Sequence, residues 1–153
     1  MTEPTTPTPP YAFVFPGQGS QFVGMAGPLL ETSEMARAMM ALADDTLGFG
    51  LTDLIAHGPA AELEDTVNAQ PAILAVSIAA LAALQENAQQ AGVELAPDYV
   101  AGHSLGEFSA LVAAGVMQFP TALTLVRERG RLMKQAGETN PGGMAAILGL
   151  DDE

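Results

Sequence analysis

The run Pro71–Leu84 limits the fold more than any other stretch. Its 14 residues are apolar except for Ser77. A run of that length falls short of the ~20 residues that span a bilayer, and it reads instead as a helix buried inside a soluble body. Pro71 suits the first turn of such a helix, where its missing N–H costs nothing, and Gly92 can end it in a left-handed conformation. Around the helix axis the apolar residues point in most directions, so neighbours have to pack on several sides at once.

Alanine decides how close those neighbours come. The chain holds 27 alanines, while aromatic residues make up 5% of it and tryptophan is absent. Small side chains let helices approach a sheet or each other closely, which predicts a helix-rich, tightly layered body. The 153 residues amount to one domain or slightly more. With 48% apolar residues, disorder over the whole chain is excluded. A net charge of −13 excludes nucleic-acid binding through the overall field. The absence of cysteine excludes disulfides, a thiol nucleophile and thiolate metal sites. Two histidines, His57 and His103, leave little for a His-based site, so no metal is expected.

Along the chain, Met1–Pro10 (MTEPTTPTPP) lacks positive charge and any apolar stretch. It reads as a disordered tail rather than a targeting segment, with a cytoplasmic location as the default and no membrane partner. Tyr11–Phe15 is a strand candidate that runs into the loop Pro16-Gly17-Gln18-Gly19-Ser20. Helices are expected over Ser33–Leu47, Leu51–Ala56, Pro71 to Gly92, Glu107–Ala114 and Thr121–Ala136, with a strand at Asp98–Ala101. Asn140-Pro141-Gly142-Gly143 marks a turn, and Met144–Leu150 reads as a further strand. Asp151-Asp152-Glu153 has the chemistry of a helix start. It is either a polar tail or the opening of a new strand–helix unit.

Gly102-His103-Ser104-Leu105-Gly106 matches G-x-S-x-G between a strand and a helix. The glycines let two backbones pass closely at a tight turn that exposes the Ser104 hydroxyl at a helix N-terminus. Amides there, including that of the following residue, can stabilise an oxyanion. Ser104 is therefore the candidate nucleophile. His103 is badly placed as its base, because neighbouring side chains on an elbow diverge, and a packing role is expected. His57, in a loop before Gly58-Pro59, reads as a solvated or capping residue. A nucleophilic serine without a base is weak, and no base is evident.

Pro16–Gln21 is a Gly-rich turn after a strand. It is either a structural turn or a loop presenting backbone N–H groups to an anion. It is not a dinucleotide fingerprint, because Phe22 stands where a third glycine belongs. Arg129 draws attention on helical periodicity. At about 100° per residue, Ala122, Leu125, Leu132, Met133 and Ala136 share one face with Arg129 in its middle. A guanidinium among apolar neighbours needs an anion, either a structural carboxylate or a ligand carboxylate held by a bidentate pair. Arg127, Arg131 and Lys134 fall on the opposite side. They form either a solvated face or a surface for an acidic partner or phosphates.

Six segments in order carry a family resemblance: FVFPGQGSQ (Phe13–Gln21), GPAAELEDT (Gly58–Thr66), QPAILA (Gln70–Ala75), AGHSLGEFSAL (Ala101–Leu111), LVRERG (Leu125–Gly130) and GGMAAILGL (Gly142–Leu150). The chain resembles the malonyl-CoA:acyl carrier protein transacylases, and more widely the acyltransferase domains of fatty acid and polyketide synthases. The resemblance implies that Ser104 takes the malonyl group from coenzyme A as an ester. It also implies that the backbone amides of Gln18 and Leu105 form the oxyanion hole, and that Arg129 clamps the free malonyl carboxylate. The phosphopantetheine thiol of acyl carrier protein would then accept the group. No cofactor is implied beyond these substrates. Acetyl would leave the Arg129 charge unpaired in a poorly solvated site.

The same resemblance implies an α/β-hydrolase-like acyltransferase large subdomain, present here over residues 11–140 and incomplete. Residues 141–153 would begin a ferredoxin-like small subdomain, of which Met144–Leu150 is the first strand. The family's catalytic histidine lies beyond that insertion, so no residue of this chain takes its role. The chain reads as an N-terminal portion of the enzyme. Two other readings are a serine hydrolase or thioesterase of the α/β class, and a non-catalytic half-protein needing a C-terminal partner. An unfinished sheet would expose an edge and favour self-association.

Overall fold

A parallel strand pair cannot be closed by a hairpin, so a crossover must carry the chain from one strand to the next. Here that crossover holds five helices. A computed structural model describes residues 10–140 and 142. Strand β1 (Ala12–Phe15) is followed by α1 (Gly27–Thr32), α2 (Glu34–Leu47), α3 (Leu51–His57), α4 (Ala60–Glu64) and α5 (Thr66–Ala91). The chain then returns as β2 (Tyr99–Gly102) and continues into α6 (Gly106–Ala113) and α7 (Phe119–Thr139). β1 and β2 pair in parallel with Ala12 opposite Tyr99 and Phe15 opposite Gly102. The described residues form a mixed α/β body of two parallel strands and seven helices.

The helix caps follow the local sequence. Ser33 accepts from the Ala36 N–H at the start of α2, and Gly48 ends that helix in the left-handed region. Gly92 ends α5 in the same way. At the other end, α5 starts five residues before Pro71, which therefore lies inside the helix rather than in its first turn. Asp65 caps the new start by accepting from the Val67 N–H. Helices α1 and α4 arise where no helix is expected from the sequence.

At the centre lies α5. Ala72, Ile73, Leu74, Ala75, Ile78, Ala79 and Ala83 are buried and share one core with Met40, Leu51, Ile55, Leu63, Leu105, Leu123 and Val126. Helices α2, α6 and α7 all pack on it. By length and composition, α5 is sufficient to cross a membrane, which the 14-residue run did not suggest. Most of its apolar surface instead meets these neighbours, and the alanines allow the close approach expected of them.

The tail Met1–Pro10, apart from an exposed Pro10, and the strand Met144–Leu150 lie outside the described residues. So does the helix start at Asp151.

Candidate active site

Three residues, His103, Ser104 and Leu105, turn the chain from β2 into α6. The turn is tight enough to force backbone geometry. Ser104 adopts φ +52°, and it is the one non-glycine residue with positive φ among those described. A Cβ on Gly102 would come 1.9 Å from the Gly106 carbonyl carbon, and one on Gly106 would come 2.3 Å from the Phe15 carbonyl oxygen. Neither contact is tolerable, so both glycines of G-x-S-x-G are required by the approach of β2 and β1 to the first turn of α6. The His103 N–H donates to the Phe15 carbonyl at 3.1 Å, extending the strand pairing into the elbow. Leu105 is fully buried beneath, while Ser104 stands exposed.

The Pro16–Gln21 loop folds over this elbow. Gly17 lies so close to His103 that a Cβ there would be 2.6 Å from Nδ1. The imidazole thus packs against the loop, as expected for a residue unable to reach Ser104. Ser20 Oγ donates to the Gly17 carbonyl, and Gly19 N–H to Gln21 Oε1, both at 2.8 Å. Among the described residues, the backbone N–H groups of Gln18 and Leu105 have no hydrogen-bond acceptor. His57 is exposed at the end of α3, with Nδ1 2.8 Å from Asp53 Oδ1.

Arg129 reaches the elbow from α7. Its Nη2 donates to Ser104 Oγ at 3.1 Å and its Nη1 to Gln70 Oε1 at 2.6 Å. No carboxylate pairs with it among the described residues. The alternative of a structural acidic partner is thereby set aside for these residues. Gln70 is 0% exposed and binds the cation without neutralising it. Its Nε2 donates to Thr66 Oγ1 at 3.1 Å and lies 3.3 Å from Met133 Sδ. Thr66 in turn donates to Gln18 Oε1 at 3.0 Å.

The face of α7 differs from the periodicity reading. Its buried residues are Phe119, Ala122, Leu123, Val126 and Gly130. Leu125 and Leu132 are 45% and 51% exposed, and Arg129 is half-buried at the boundary. The contact that matters is Gly130, where a Cβ would come 2.5 Å from the Thr66 carbonyl oxygen. The basic residues opposite are also not a free patch. Arg127 stacks 4.2 Å over Phe49 and donates to the Leu47 carbonyl at the end of α2. Arg131 pairs with Glu128, and Lys134 with Asp65. The Asp65 carboxyl is held below its ordinary range by the Lys134 hydrogen bond first, then by the Val67 amide.

The expected residues Ser104, Gln18, Leu105 and Arg129 are thus gathered at one place. Thr66 and Gln70 join them unforeseen, although each lies in a segment that carried the resemblance, Gln70 as the polar residue just before the apolar run. A cation beside an exposed hydroxyl suits an acyl group that carries its own carboxylate. The site is open, however. Ser104 and Gln18 are exposed among the described residues, so residues 10–140 do not build the solvent-poor setting expected around the clamp.

The acyl transferase domain family matches residues 12–152. Malonyl CoA-acyl carrier protein transacylase of Bacillus subtilis is 50% identical over 142 residues, covering 93% of this chain and 43% of the relative. The Escherichia coli K12 protein of the same name is 48% identical over 142 residues, covering 93% of this chain and 44% of the relative. An acyl carrier protein S-malonyltransferase structure from Vibrio cholerae superposes with TM-score 0.74 at 48% identity, covering 82% of this chain and 40% of that one. A malonyl-transacylase solved in complex with its type II PKS acyl-carrier protein gives TM-score 0.75 at 45% identity, covering 84% and 40%. The chain therefore spans less than half the length of the proteins it matches.

Proposed function

Because the chain belongs to the acyl transferase domain family, we propose that it carries the nucleophile of a malonyl transfer from malonyl-CoA to the phosphopantetheine thiol of acyl carrier protein, in cytoplasmic fatty acid synthesis. The Ser104 oxygen attacks the thioester carbonyl. The carbon–sulfur bond breaks, and the hydroxyl proton ends on the departing coenzyme A thiol. The pantetheine thiol then attacks the malonyl ester, and Ser104 recovers a proton. The backbone N–H groups of Gln18 and Leu105 receive the oxyanion of both steps. The general base is the histidine that the family resemblance assigns beyond the small subdomain; His57 and His103 do not take its place. Residues 11–140 are read as part of an α/β-hydrolase-like large subdomain, and residues 141–153 as the start of a ferredoxin-like one.

The observation that carries this reading is the bonding of Arg129, which reaches Ser104 and is held by the neutral amide of Gln70. A carboxylate at that position would cancel the charge. An amide orients the guanidinium and leaves its charge for the ligand. A thioesterase of simple acyl groups has no use for that cation. The test is selectivity. Replacing Arg129 removes a charge-assisted hydrogen bond of about 1.5–3 kcal/mol, so Arg129→Ala should slow Ser104 acylation by malonyl-CoA roughly 10- to 100-fold. Acylation by acetyl-CoA should change little. Equal losses for the two donors would remove the clamp assignment.

A further inference from the structure

The hydrogen bonds from Ser104 to Gln18 form one chain, and its direction is set at the arginine. A guanidinium only donates. Gln70 must therefore turn Oε1 toward Arg129, at 2.6 Å, and Nε2 toward Thr66 Oγ1, at 3.1 Å. Thr66 has a single hydroxyl proton. It accepts from Gln70 and gives that proton to Gln18 Oε1 at 3.0 Å. The chain also crosses three separate elements, α7, α5 and the loop after β1.

We propose that Thr66 is a positioning residue that joins the carboxylate clamp to the loop bearing the Gln18 N–H. This rests on the reading of Arg129 as a malonyl clamp. A carboxylate that takes hold of Arg129 replaces Ser104 as the partner of Nη2 and shifts the guanidinium against Gln70. Gln70 is fully buried and has little freedom to absorb that shift. Thr66 passes it to the Gln18 side chain, whose own backbone amide faces the reacting carbonyl. Occupancy of the clamp is in this way registered at the oxyanion donor 48 residues away in sequence. Binding energy from the remote carboxylate then acts on the transition state and not only on affinity.

Gly130 supports the same joint from outside. Its missing side chain lets α7 rest directly on the Thr66 backbone, with the clamp residue as its immediate neighbour.

The test follows nuclear magnetic resonance signals of the isotope-labelled chain during titration with malonate as the dianionic probe. In the unaltered chain, the Arg129 guanidinium and the Gln18 backbone amide should shift with one midpoint. In Thr66→Val, which keeps the shape and loses the hydroxyl, the Arg129 shift should persist and the Gln18 shift should be lost. Thr66→Ser should restore it. If Thr66→Val does not fold, Gln18→Leu interrupts the same link, and the Gly17 and Gly19 amides should then stop responding. An undiminished Gln18 shift in Thr66→Val overturns the proposal. So does an unaltered chain in which Arg129 responds and Gln18 does not. A chain whose Arg129 ignores malonate removes the clamp reading itself, and the joint with it.

Discussion

At Ser104 the backbone takes up φ +52°, a conformation that side-chain-bearing residues avoid. Strain of this kind costs on the order of 1 kcal/mol and persists only where the surroundings impose it. The surroundings here are Gly102 and Gly106, whose missing side chains let three backbone segments meet. Replacing Ser104 by glycine should relieve the strain. Ser104→Gly should gain ~1 kcal/mol in urea unfolding while losing all acylation. A loss of stability instead would mean that the hydroxyl's bond to Arg129 outweighs the strain. The spacing of the two glycines made this elbow legible from the sequence. Arg129 drew attention as a cation on an apolar face, but Leu125 and Leu132 of that face are exposed, and its reading as a clamp rests on the resemblance. Its neutral partner was not legible, because a glutamine before an apolar run carries no signal of what it will face.

Between elements, the crossing of α5 and α7 sets the site. Gly130 rests on the Thr66 carbonyl and so decides how near Arg129 comes to Gln70 and Ser104. Gly130→Ala should destabilise the fold by roughly 1–3 kcal/mol through overpacking. It should also reduce malonyl acylation more than acetyl acylation, because α7 must back away from the elbow. Circular dichroism melting with paired acylation rates reads both effects. Equal change in the two rates would separate the crossing from the clamp. The periodicity of α7 pointed to the wrong face for this reason: a glycine contact has no apolar signature, whereas Leu125, Leu132 and Met133 advertise a buried stripe and are exposed. Likewise Pro71 marked the start of α5 too late. The turn Thr66–Gln70 is helical because Asp65 caps it and α7 lies against it; the capping Asp65 stood in the local sequence and was passed over in favour of Pro71, while the α7 contact is not visible there.

Over the whole molecule, the described residues make a helical layer around α5 and a two-stranded sheet beside it. Val14 on β1 is 74% exposed. An apolar groove of about 400 Å³ runs between β1 and α5, and another of about 420 Å³ between β2 and α6. Ser104 lines neither groove, and these are the surfaces on which the expected self-association would act. Composition foretold the close-packed helices, and the motifs foretold the elbow. The open flanks were legible only through the family resemblance. The proposed chemistry begins when Ser104 accepts a malonyl group. It is tested by the intact mass of the folded chain after incubation with malonyl-CoA. One malonyl increment, absent from Ser104→Ala, is expected. A Ser104→Ala variant that gains the same increment would contradict it, whereas a folded chain that gains no mass would make the histidine beyond the small subdomain indispensable to the first step.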